Sequence, residues 1–239
     1  NGKILRDKAF KDIWIQPASG DAGGALGGAL AVWHKELNNP RVVNPDDAMQ
    51  GSYVTDTATK ILDAGQFLIQ TRGYSAVSFQ DIATKVGIRK PSIIHHFENK
   101  CSLGVAIIQR YRSNFAEQLE AIKNDPDKTS WDSLEFYFSP YFHFASTPDQ
   151  VCLCGALSGE VTALPEEMRI EVKLFMEAHQ LWLKEILING LNKQEMNFDM
   201  PPIQLARMIF NSLQGALLVK RSTDDLNQIE DVRRTIIKM

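Results

Sequence analysis

Cysteine is scarce, charge is close to balanced and long apolar runs are missing, and each shortage excludes a class of protein. Three cysteines, Cys101, Cys152 and Cys154, cannot supply a disulfide framework, and no four-ligand zinc spacing accompanies them. That points to a reducing compartment. No apolar stretch reaches the roughly 18 residues of a membrane-spanning helix, and the N-terminus lacks a charged segment followed by an apolar one. The expectation is a cytoplasmic protein with no membrane partner. A formal net charge of −3 is too small for a chain that coats nucleic acid along its whole length. The charge is unevenly spread: residues 1–54 hold 6 basic and 6 acidic side chains, 55–125 hold 9 and 7, and 126–239 hold 11 and 16. Only the middle is basic, as expected of a small nucleic-acid-binding part carried by a body that avoids nucleic acid. With 239 residues, 44% of them hydrophobic, the chain can bury a sizeable core in one or two domains.

The middle segment is organised around SFQDIATKVGIRKPSIIHHFENK, residues 78–100. Ser78 and Asp81 have the S-x-x-[DE] form of a helix start, in which the serine oxygen takes an unpaired backbone N–H and the acid suits the positive helix end. Ile82, Ala83 and Val86 then share one face, and Gly87 stands where a left-handed residue would end the helix. Pro91 suits the first turn of a second short helix beginning near Lys90. Apolar residues at 82, 86, 88 and 93, with small Ala83 at the crossing, make a helix-turn-helix pattern whose second helix enters the major groove.

The outer face of that second helix carries Arg89, Lys90, Ser92, Ile94, His95 and His96: hydrogen-bonding groups and one apolar side chain able to touch a thymine methyl. Asn99 is the expected N-cap of the next helix. Lys100 then falls in a first turn, where a cation opposes the helix dipole, so a phosphate is its expected partner. With Ser78 these residues form the candidate DNA-binding set. The alternative is a solvated face with half-buried histidines. His95 and His96 do not make a metal site, because helical neighbours diverge and no third ligand is spaced to join them.

Helical periodicity continues on both sides. Thr55 to Gly73 repeats apolar residues at three and four, giving a third helix beneath the pair, and Cys101 to Ile122 reads as a long amphipathic linking helix. At TRGY, SFQDIATKVGI and KPSIIHHFENK the chain resembles the TetR family of bacterial transcriptional regulators, strongly over 55 to about 122 and in outline beyond. The resemblance implies a homodimer on a palindromic double-stranded DNA operator, an all-helical body with a pocket for a small-molecule inducer, and repression. Ile94 departs from it, standing where the family commonly has a tyrosine on the DNA backbone. So does Cys101, which replaces an acidic or polar helix start.

In the body, SLEFYFSPYFHFA is apolar nearly all round and reads as a helix buried on more than one side. Phe138, Tyr141, Phe142 and His143 are candidate pocket walls, with plain core as the alternative reading. Pro165 opens a long helix to Asn189 whose apolar side carries Phe175, His179 and Trp182, which complete the candidate ligand-binding set. Cys152 and Cys154 could form a thiol sensor, but no flanking cation lowers a thiol pKa. Pro201 and Pro202 start a helix with an apolar stripe and small residues at Ala206, Ser212, Gly215 and Ala216. With the last helix, through Ile236, it can form a four-helix dimer interface.

Residues 1–54 differ in composition, with seven of the fifteen glycines and two of the four tryptophans. Ile13 to Ile15 suggest a short strand, and Gly20 to Gly28 a turn leading into a helix through about Leu37. That arrangement could cradle a phosphate, yet the glycines do not make a dinucleotide fingerprint, and tight packing is the simpler reading. The run WIQPASGDAGGALGGALAVWH, with NPDDAMQGSY after it, resembles a short C-terminal-type fragment of the carbamoyltransferase family, in which the aspartate matching Asp21 lies near the nucleotide and metal site. Most of that family's fold has no counterpart here, which implies a remnant without carbamoyl transfer.

The overall expectation is an all-α chain: an irregular extension over 1–54, a three-helix helix-turn-helix head with its linking helix over 55–122, and a helical ligand-binding and dimerisation body over 123–239. No catalytic residues, metal or cofactor are expected.

Overall fold

Side chains that compete for backbone N–H groups mark several helix starts of this chain, and the computed structural model, in which residues 52–238 are described, shows three of them closed. Helix α1 spans Ser52–Arg72, beginning a little ahead of the expected Thr55 and ending at Gly73, whose φ of 87° is left-handed. Helix α2 spans Phe79–Val86. Its N-cap Ser78 accepts from the Asp81 N–H while Asp81 accepts from the Ser78 N–H at 2.8 Å, a complete capping box. Gly87 closes it at φ 78°. Helix α3 is the short segment Lys90–His96, with proline in its first turn. Helix α4 spans Lys100–Lys123 from a second box, Asn99 with Ser102.

Thr129 and Asp132 form the third box, opening α5 over Ser130–Ser146. Pro140 lies inside α5 and cannot donate to the carbonyl one turn back. That carbonyl, of Phe136, instead accepts the Ser139 hydroxyl at 2.8 Å, so the helix continues through the proline. Helix α6 is Leu153–Gly159, followed by one turn of 3-10 helix at Val161–Ala163. Helix α7 runs over Glu166–Asn192, α8 over Pro202–Thr223 and α9 over Asn227–Ile237.

Residues from Ile61 onward form one compact unit with a continuous core. Ile61, Leu68, Ile82, Ala83 and Ile93 seal the head, and the core carries on through Ile107 and Ile108 of α4 into Leu134, Phe138, Phe175 and Leu213 of the body. At the head–body junction Gly104 faces Met168, whose sulfur would lie 2.6 Å from an added Cβ, so a larger residue there would push the methionine side chain aside. Helix α9 packs on α8 and is tied to α5 by Arg233, whose guanidinium makes two hydrogen bonds of 2.9 and 2.7 Å to the Glu135 carboxylate. No strand occurs among the described residues, in keeping with the expected all-α class. The strand, glycine turn and helix expected within residues 13–37 lie outside the described residues.

Candidate nucleic-acid interface and ligand chamber

The helix-turn-helix pair buries one side and offers the other. Ile82, Ala83 and Ile93 point inward, whereas Arg89, Lys90, Ser92, Ile94 and His95 are exposed and His96 is half-buried. Ile94 is 48% exposed, far more than a core residue of its size, which fits an apolar contact made only in a complex. His95 and His96 meet edge to face at 5.5 Å, and burial, then the neighbouring His95, lowers the His96 pKa below its usual value. His96 is therefore a neutral group in the free protein at neutral pH.

Two members of the candidate set already have internal partners. The Ser78 hydroxyl is engaged with Asp81, whose carboxyl is held below the ordinary aspartate range by the Ser78 side chain and then its backbone. Lys100 lies over the Tyr74 ring at 4.1 Å, and its pKa is lowered by burial against the opposing pull of Glu160 and Asp81. The cation in the first turn of α4 thus has a reason inside the protein that the sequence did not show. Lys85 sits likewise over Phe67, at 4.0 Å.

In the body, aromatic rings converge on His179. Phe175 lies 4.0 Å from it between ring centroids, with Phe115, Tyr137 and Phe210 within about 6 Å. Trp182 stacks on Tyr137 at 5.4 Å and donates its N–H to the Leu119 carbonyl at 3.0 Å. Tyr137 meets His179 Nδ1 at 3.0 Å and lies with its ring 5.9 Å from that of Tyr141, which accepts from Gln214 at 3.2 Å. Burial takes the His179 pKa down to about 3, so the ring is neutral. A pocket of about 90 Å³ opens beside this cluster, walled by Arg112, Ala116, Leu119, Glu120, Ala178, His179 and Trp182.

Of the expected ligand-binding residues, the structure brings Tyr141, Phe175, His179 and Trp182 into this one cluster. Phe138 is sealed in the core, Phe142 packs half-buried against it, and His143 is exposed. The nearly all-apolar sequence of α5 hid which residues face inward. Arg112, Phe115, Tyr137 and Gln214 were missed, because the contacts that unite them join distant parts of the chain. Both Cys152 and Cys154 are buried. The Tyr111 hydroxyl meets Cys152 Sγ at 3.7 Å, and burial pushes the Cys154 thiol well above its ordinary range, which keeps it protonated.

Helix α6 links the two regions. Ahead of it, the Val151 carbonyl accepts from fully buried Gln70 of α1 at 2.8 Å. Behind it, the Glu160 carboxylate accepts from the Ser75 N–H at 2.8 Å. Arg221, at the end of α8, reaches the Thr71 carbonyl at 2.6 Å. No described helix is long and apolar enough to cross a membrane, and no group of three or more His, Cys, Asp or Glu among the described residues is placed to hold a metal ion.

Comparison with known proteins agrees with this geometry. Residues 61–107 match the family described as bacterial regulatory proteins, tetR family, and residues 132–236 match the tetracyclin repressor-like C-terminal domain. The chain is similar to the HTH-type transcriptional repressor DhaR of Mycobacterium sp. strain GP1, 26% identical over 177 residues, 73% of this chain and 88% of that protein. A crystal structure of a TetR transcriptional regulator from Legionella pneumophila superposes with a TM-score of 0.69 at 28% identity, covering 83% of this chain and 98% of that one. Residues 1–30 match the carbamoyltransferase N-terminus, which places the fragment in the N-terminal part of that family. A 54-residue stretch is 63% identical to the uncharacterized protein sll1178 of Synechocystis, but this covers 23% of the chain and only 9% of that protein. Head and body are matched in chain order by two parts of one family, and the chain belongs to the TetR family of bacterial transcriptional regulators.

Proposed function

We propose that the chain is a repressor that binds a palindromic operator as a homodimer and lets go when a small molecule enters the body. The observation that carries this reading is the exposed row Arg89, Lys90, Ser92, Ile94 and His95 on a short helix whose other side is locked into the head. Arginine and lysine there suit guanine edges and phosphates, and Ile94 suits a thymine methyl. One such helix reads too few bases for selectivity, and two-fold pairing doubles the contact.

The pairing surface is the outer side of α8 and α9, where Met208, Gly215, Leu218 and Val219 are exposed beside half-buried Val232. Residues 55–122 act as the head and 123–239 as the body, in the cytoplasm and without enzymatic activity. Residues 1–54 are an extension that the regulator does not use. A ligand that binds one spacing of the two heads better than the other shifts the population toward it and releases DNA.

The test is operator affinity after Arg89→Ala and Lys90→Ala. Loss of a base contact costs about 1–3 kcal/mol and relaxes sequence preference at one position, whereas loss of a phosphate contact weakens binding to all sequences and lowers the salt dependence. Wild-type affinity in both variants removes this helix from the interface. Removing residues 1–51 is expected to leave operator binding intact, and turnover of carbamoyl phosphate by the full chain would overturn the non-enzymatic assignment.

A further inference from the structure

Helix α7 packs one side on α4, α5, α6 and α8 and leaves an apolar row on the other. Ile170, Leu174 and Leu181 are 50%, 40% and 52% exposed, and at about 100° per residue they fall within about 40° of one another around the helix. Single exposed leucines are ordinary, whereas three in one line along a helix mark a surface that meets a partner. A charged row runs beside them: Glu166, Lys173, Glu177 and half-buried Lys184, again within about 40°. Within one chain Glu166 pairs with Arg169 at 3.0 Å and Lys173 with Glu177 at 3.8 Å. These are solvent-facing pairs, loose enough to be shared with a second molecule.

The order of these residues points to the partner. Glu166 and Lys184 stand nine positions on either side of Phe175, and Lys173 and Glu177 stand two on either side. Ile170 and Leu181 stand five and six positions away, with Leu174 next to the centre. Reversed in direction, the charged row exchanges every acid for a base, while the apolar row stays apolar. A second α7 laid antiparallel across a two-fold axis at Phe175 therefore brings the partner's Lys184 to Glu166 and the partner's Glu177 to Lys173, each twice, with Ile170 over the partner's Leu181. The flank toward α4 is less favourable, since the same axis brings Glu167 near the partner's Glu185. That glutamate is tied to Lys123 at 2.9 Å, so a cation arrives with it. We propose that the outer face of α7 pairs antiparallel with the same face of a second copy of this chain, joining two dimers built on α8 and α9. The tetramer, though not the α7 pairing, rests on the dimer reading above. A stripe of about 27 Å on one helix makes a small interface, so the association is weak in solution and is strengthened where neighbouring DNA sites hold two dimers side by side.

The test is sedimentation of the full chain from low to high micromolar concentration. Wild type is expected to pass from dimer to tetramer as concentration rises, and Gly215→Glu, which places a charge in the α8 pairing surface, from monomer to dimer. Leu181→Arg, at an exposed position, should keep the thermal unfolding temperature and abolish the upper step. Lys173→Glu and Glu177→Lys should each weaken that step about tenfold, because two opposite-charge pairs become like-charge pairs. Mixing these two single variants should restore it, since each then meets the other's opposite charges. A wild type that stays dimeric at every concentration, an upper step that survives Leu181→Arg, or a mixture no better than its components overturns the proposal. The two pairing surfaces fail separately. If Leu181→Arg splits the low-concentration dimer while Gly215→Glu leaves it intact, the pairing through α8 and α9 falls and the α7 pairing stands.

Discussion

His179 is a basic side chain in a place that refuses its charge. Enclosed by Phe115, Phe175, Phe210 and Tyr137, it has a pKa lowered by burial from 6.5 to about 3. In the unfolded chain the same ring takes a proton near pH 6.5, so between that value and about 3 the unfolded state binds more protons than the folded one. Stability from this residue is therefore complete above pH 6.5 and is lost as the pH falls. The expected loss between pH 7 and pH 5 is about 2 kcal/mol, at 1.36 kcal/mol per unit. Urea unfolding of the wild type and of His179→Phe at both pH values checks it. His96 is shifted in the same direction, so the informative quantity is the difference between the two slopes. Equal slopes would mean that the ring is solvated and protonates in place.

At the scale of the element, α6 is too short to be stable alone, and its position is fixed by what its flanks hold. One flank grips α1 through Gln70, the other grips the turn before α2 through Glu160 and Ser75, and Gly155 in between lies against Gln214, which donates to Tyr141. A guest that moves Gln214 or Tyr141 would press on α6 and so on the head. Glu160→Ala should therefore leave operator affinity without ligand within about threefold, since no base-reading residue is touched, yet reduce the ligand-induced drop several-fold. The measurement is operator affinity with and without a saturating inducer. An unchanged drop would remove the Glu160–Ser75 contact from the coupling. Helix α3 is the contrasting case: its register is legible in Gly87, Pro91 and Ile93 because local conformation and one buried side chain decide it. What became of Lys100 was not legible, because Tyr74, 26 residues back, and Glu160, 60 residues on, reach it only through tertiary packing.

The whole molecule depends on the faces it leaves uncovered. Gly215 is exposed on α8, with no atom within 4 Å of an added Cβ, and Leu218 beside it is 45% exposed. A charge placed there meets nothing among the described residues of one chain but would be buried between two. Gly215→Glu is expected to keep the thermal unfolding temperature of the isolated chain while shifting sedimentation from dimer to monomer, with operator affinity falling by at least 100-fold as the second half-site is lost. A variant that remains dimeric would move the pairing surface away from this face.

Sequence by itself determined the described helices other than α6, and their order, because caps, prolines and apolar spacing act within a few residues. The Ser78–Asp81 box, the left-handed Gly87 and the exposed row from Arg89 to His95 are all local consequences of neighbouring side chains. Only the tertiary structure decided which aromatics of α5 face the chamber. Tyr137 and Tyr141 turn toward His179 and Gln214, which lie 42 and 73 residues further along the chain, while His143 on the same helix is exposed. A helix that is apolar on every side carries no periodic signal of direction, and the choice falls to hydrogen bonds that exist only after α5, α7 and α8 have packed together.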